Sequence, residues 1–81
     1  MTVIVYTRNA CAACKGTEAL LDKLGVEYVE INVQAAGNEN HAQQLVDEGF
    51  RAMPVVKVYQ GLDVIDSWAG TNQDKIRALA G

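Results

Sequence analysis

In Val3-Ile4-Val5-Tyr6-Thr7-Arg8-Asn9-Ala10-Cys11-Ala12-Ala13-Cys14-Lys15-Gly16-Thr17 the spacing of apolar residues changes period, and that change decides the fold. Val3 to Tyr6 is a short apolar, β-branched run that reads as a buried strand, central because both of its faces are apolar. Thr7 to Ala10 reads as a loop. From Cys11 the pattern is helical: Thr17, Leu20, Leu21 and Leu24 recur at spacings of three and four, and Gly25 stands just past the last turn as a terminator. Gly16 lies inside this helix at a cost of about 1 kcal/mol against Ala, which suggests close packing against it.

Working outward, Val26 to Val33 alternates and reads as a second strand. Ala35 to Asn38 is a loop. Ala42, Leu45 and Val46 mark one face of a second helix closed by Gly49. Val55 to Tyr59 is a third strand and Leu62 to Ile65 a fourth, joined as a hairpin through Gly61. Thr71-Asn72-Gln73-Asp74 has the form of a capping box opening a last helix, with Ile76 and Leu79 facing inward. The order is βαβαββα. It predicts an α/β fold with a four-stranded mixed sheet flanked by three helices, formed by residues 1–81 as one domain. The first βαβ unit demands parallel strands and a right-handed crossover.

At 81 residues the chain has a thin core, and its 49% apolar content is that of a globular domain. Seven basic and ten acidic residues give a net charge of −3, with no like-charge run longer than two. That balance argues against nucleic acid or an anionic membrane as partner. Only two cysteines are present, too few for a disulfide-stapled secreted mini-protein. With no basic and apolar leader and no apolar stretch near ~18 residues, the expectation is a soluble cytoplasmic protein in a reducing compartment.

Cys11-Ala12-Ala13-Cys14 sits where strand passes to helix. The first helical turn presents unpaired N–H groups and the positive end of the dipole, both of which favour thiolate over thiol. Free cysteine titrates near ~8.5, and such sites lower it to about 7 or below. Arg8 and Lys15 push the same way. Residues i and i+3 share a helix face, so the two sulfurs can join. This arrangement suits Cys11 as the attacking thiol and Cys14, one turn deeper, as the resolving thiol. Half of a zinc site is the main rival. A closed zinc site needs four ligands, His41 is the only other Cys or His, and a site shared by two chains stays open. His41 itself, beside Glu39 and Asn40, reads as a surface residue.

Met53-Pro54 precedes the third strand, and Pro54 is the only proline. A plain strand-start proline is one reading. The other is a cis bond that turns the Met53 N–H and C=O toward an extended substrate. Arg8 reads equally as a contact for Cys11 or a substrate carboxylate and as a solvated loop residue. Phe50 and Tyr6 read as core. Trp68 reads either as a partly exposed docking residue or as a core aromatic.

Val5-Tyr6-Thr7-Arg8-Asn9, Cys11-x-x-Cys14, Gly49-Phe50-Arg51-Ala52-Met53-Pro54-Val55-Val56 and Ser67-Trp68-Ala69-Gly70 together resemble the glutaredoxin-like families, and within them the NrdH-redoxins. The resemblance runs over essentially the whole chain and implies the thioredoxin/glutaredoxin-like fold. It implies a dithiol electron donor to class Ib ribonucleotide reductase, reduced by thioredoxin reductase at the expense of NADPH, monomeric, with no bound cofactor or metal. By the same resemblance Cys11 and Cys14 are the redox pair and Pro54 is the cis proline. Trp68 and Gly70 then lie near the site and help dock partners, while Arg8, Met53 and Thr71 are candidate contacts for substrate or partner on the residue reading alone. Three departures stand out. Ala12-Ala13 replaces a larger residue and Gln, Ala69 replaces Ser, and Thr71-Asn72 replaces a Phe-Arg pair. The last leaves a capped helix N-terminus where glutaredoxins hold a glutathione carboxylate, so a glutathione-dependent glutaredoxin is the second reading. A carrier of a metal or iron–sulfur cluster bridged between two subunits through Cys11 is the third.

Overall fold

The computed structural model describes residues 1–81. Its elements are β1 (Thr2–Thr7), α1 (Ala12–Lys23), β2 (Val29–Asn32), α2 (Glu39–Asp47), β3 (Val55–Gln60), β4 (Asp63–Ala69) and α3 (Gln73–Leu79). The sheet order is β2-β1-β3-β4. β1 and β2 are parallel, while β3 is antiparallel to both β1 and β4. This is the expected βαβαββα arrangement.

The pleat divides the sheet's residues between two cores. One holds Val3, Val5, Val56, Val58 and Trp68 with Leu21 of α1 and Ile76 of α3. The other holds Tyr6 and Val55 with Leu45 of α2, joined by Ile4, Ile31, Val33, Phe50 and Met53. β1 therefore reads as a continuous apolar run because both of its faces are covered, and β3 does so apart from Lys57.

Helices α1 and α2 end in the same way. Val26 N–H reaches Leu21 C=O at 2.9 Å and Gly25 N–H reaches Asp22 C=O at 3.1 Å. Phe50 and Gly49 repeat the pattern with Leu45 and Val46, both at 3.0 Å. Gly25 and Gly49 take φ of 71° and 93°, the left-handed conformation this closure needs. That closure commits the Val26 amide to the helix, which is one reason β2 begins at Val29 rather than Val26.

Several expectations are corrected. Gly16 is exposed, and a Cβ built there meets nothing within 4 Å, so it marks no close approach. Val46 is 64% exposed, because the covered face of α2 centres on Leu45. Leu62 lies at the hairpin tip, 99% exposed, and the fourth strand runs on through Trp68 to Ala69. Val58 pairs with Asp66 while Tyr59 pairs with Val64, so Ile65 is an extra residue in a bulge. The cap of α3 is Asn72, whose Oδ1 accepts Lys75 N–H at 3.1 Å, and not Thr71 one residue earlier.

Lys57 is buried in the middle of β3. Its Nζ meets Glu48 Oε1 at 2.6 Å, just past α2, and lies 5.5 Å from the centre of the Tyr6 ring. The Tyr6 hydroxyl is pushed up to about 12, chiefly by burial and then by Tyr59 and Glu48.

Candidate active site

The turn between β1 and α1 builds the site. Ala10 takes φ of 52°, the one non-glycine residue in the left-handed region. This sharp reversal delivers Cys11 to the N-cap of α1 with extended backbone. Cys11 Sγ accepts the N–H of Cys14 at 3.1 Å, the bond an N-cap side chain makes to the third helical residue. Cys11 and Cys14 are joined as a disulfide with Cα atoms 5.2 Å apart. Cys11 is 6% exposed and Cys14 2%, so Cys11 is the more exposed cysteine by a small margin. In this state neither sulfur is available as a metal ligand. No cluster of three or more Cys, His, Asp or Glu side chains is placed to hold a metal ion.

Two loops close on this turn. The Met53–Pro54 peptide is cis, and Pro54 C=O accepts Gly70 N–H at 2.7 Å. Met53 is half-buried, and its main chain makes no hydrogen bond within the chain. Beyond it opens a groove of about 470 Å³ lined by Val33, Ala42, Leu45, Val46, Phe50 and Met53, among others. On the other side, Thr71 Oγ1 donates to Ala13 C=O at 3.4 Å and lies 3.1 Å from Thr17 Oγ1. Cys11, Cys14, Pro54, Gly70 and Thr71 thus meet at one end of the sheet, brought from three separate parts of the chain.

Arg8 takes the solvated-loop place and Trp68 the core place among the two readings of each. Arg8 is exposed just past β1 and makes no ion pair. Trp68 is 7% exposed and belongs to the core, which selects the core aromatic of its two readings. Lys75 covers it, with Nζ 5.4 Å from the ring centre and bonds to both Asp66 oxygens at 2.8 and 3.1 Å. Lys75 holds the Asp66 carboxyl below its ordinary range, with help from Ser67 N–H. Sequence reasoning missed Ala10, because nothing marks an alanine for positive φ. It also took Thr17 only as part of the apolar helix face, where it is fully buried.

A disulfide spanning the N-cap and third position of a helix, with a cis-proline loop at the same end of the sheet, defines a thiol–disulfide redoxin of thioredoxin-like fold. The glutaredoxin family model matches residues 3–61, and the chain belongs to that family. It is 34% identical over 98% of its length to the glutaredoxin-like protein NrdH of Salmonella typhimurium and to that of Escherichia coli, covering 89% of each. The solved structure of the E. coli NrdH-redoxin, a glutaredoxin-like protein described as having a thioredoxin-like activity profile, superposes with a TM-score of 0.82 at 34% identity, covering 98% of this chain and 95% of that one. A glutaredoxin from Archaeoglobus fulgidus superposes with a TM-score of 0.69 at 26% identity, covering 95% of this chain and 83% of that one. The chain is a thiol–disulfide oxidoreductase whose redox group is the Cys11–Cys14 disulfide.

Proposed function

We propose that this chain is a dithiol electron donor of the NrdH type, which passes electrons to class Ib ribonucleotide reductase and recovers them from NADPH through thioredoxin reductase. One observation carries the reading: the Cys11–Cys14 disulfide caps α1 in a chain similar to NrdH proteins over 98% of its length. The proposal includes a cytoplasmic, monomeric protein that folds as one domain over residues 1–81. No helix is long and apolar enough to cross a membrane.

In the proposed cycle Cys11 thiolate attacks one sulfur of a substrate disulfide. That bond breaks, the second substrate sulfur leaves and takes up a proton, and a mixed disulfide forms. Cys14 then loses its proton to water and attacks Cys11 Sγ, which releases the first substrate sulfur to be protonated in turn. Two electrons and two protons have passed to the substrate, and the Cys11–Cys14 disulfide seen here is the product. The free N–H and C=O of Met53 suit an extended substrate segment added as a strand, with an apolar side chain lodged in the adjoining groove. Arg8, Gly70 and the covering of Trp68 complete the proposed partner-facing surface.

The test mixes the oxidised protein with NADPH and either thioredoxin reductase or glutathione plus glutathione reductase. NADPH consumption with thioredoxin reductase is the expected result, and turnover with glutathione alone overturns the reading. A Cys14→Ser variant is expected to trap mixed disulfides through Cys11. Trapping by Cys11→Ser instead would reverse the two roles.

A further inference from the structure

Ala13 C=O and Cys14 N–H belong to the same peptide group. Its oxygen accepts from Thr71 Oγ1 at 3.4 Å, and its N–H donates to Cys11 Sγ at 3.1 Å. Thr71 Oγ1 also lies 3.1 Å from Thr17 Oγ1, where either hydroxyl can donate. With the Thr71 proton on Ala13, the donors all point one way, from the Thr17 hydroxyl to the Thr71 hydroxyl, through the Ala13–Cys14 peptide, and on to sulfur. Hydrogen bonds aligned head to tail polarise one another. Thr17 is fully buried and Cys11 and Cys14 are nearly so, while the Thr71–Ala13 bond that links them is exposed.

We propose that Thr71 is a positioning residue for Cys11: its hydroxyl orients and polarises the Ala13–Cys14 peptide so that the Cys14 N–H holds the Cys11 thiolate. The inference rests on Cys11 being the attacking thiol and deepens that reading. Charge-assisted bonds gain more from a polarised donor than bonds to neutral sulfur do. The relay accordingly favours the thiolate over both the thiol and the disulfide. The neighbouring Ala12 and Ala13 side chains have no polar group to do this work, and Thr71 reaches in from a loop 58 residues further along the chain.

The experiment follows alkylation of Cys11 by iodoacetamide against pH in reduced Cys14→Ser protein, with Thr71 as Thr, Val or Ser. Thr71→Val is expected to alkylate about threefold more slowly at pH 6.5, a midpoint about half a unit higher. Thr71→Ser, which keeps the hydroxyl, is expected to restore the parent profile. Thermal unfolding of each variant reports whether the fold is intact. A folded Thr71→Val protein with the parent midpoint overturns the relay, as does a Thr71→Ser profile that matches Val. The parent protein's own midpoint, compared with free cysteine, reports separately on whether Cys11 is an activated thiol.

Discussion

The amide of Cys14 donates to Cys11 Sγ at 3.1 Å, so the backbone of one disulfide partner holds the sulfur to which its side chain is bonded. Both contacts arise because the first cysteine is the N-cap and the second is the third position of the helix. At that spacing the N-cap side chain naturally meets the N–H of the third residue, and i and i+3 side chains share a face. The Cys-x-x-Cys interval follows from helix geometry.

Gly16→Ala is expected to stabilise the protein by about 0.5–1 kcal/mol, measured by urea unfolding. The residue sits mid-helix with open space where a Cβ would go. A loss of stability would mean that the first turns of α1 need the flexibility that glycine supplies.

Glu18 carries a cost that depends on pH. Its carboxyl is raised above the ordinary 4.5 by burial first and then by the neighbouring Glu30, and its Oε2 is buried without a donor. The folded state therefore binds the proton more tightly than the unfolded state, and stability falls as pH rises from the unfolded value through the folded one. Glu18→Gln is expected to raise the melting temperature at pH 7, with the gain shrinking as pH is lowered below the carboxylate range. Equal melting temperatures at pH 7 would contradict this.

The Lys57–Glu48 pair predicts opposite outcomes for its two ends. Glu48→Ala leaves a buried ammonium with only the Tyr6 ring for company and is expected to cost about 3 kcal/mol. Lys57→Met replaces it with an apolar chain of similar length and frees a carboxylate that is 37% exposed and can hydrate. That variant is expected to be near-neutral. Urea unfolding of both, with the double variant closing the cycle, checks the asymmetry.

The chain order and the cysteine site were legible in the sequence because their signals are local. Val3 to Tyr6, the helical spacing from Thr17 to Leu24, and the glycines at 25 and 49 each declare their structure within a few residues. The same local reading ran β2 back to Val26, since it could not see that amide bound to Leu21. It stopped β4 at Ile65 because a bulge interrupts the alternation there. Trp68 shows the limit most clearly. Its place in the core depends on Leu21 and Ile76 arriving from two helices, and on Lys75 covering the ring. Thr71 suggested a cap because its spacing to Asp74 fits one. Only the fold reveals that its hydroxyl turns away from its own helix toward Ala13.

The most direct test of the account is the rate of alkylation of Cys11 in the reduced protein as a function of pH, with Cys14→Ser to isolate the signal. A sulfur held by the helix N-terminus and the Cys14 amide is expected to react fully at neutral pH, with its midpoint well below the ~8.5 of free cysteine. A midpoint equal to that of free cysteine would contradict the claim that α1 activates this thiol.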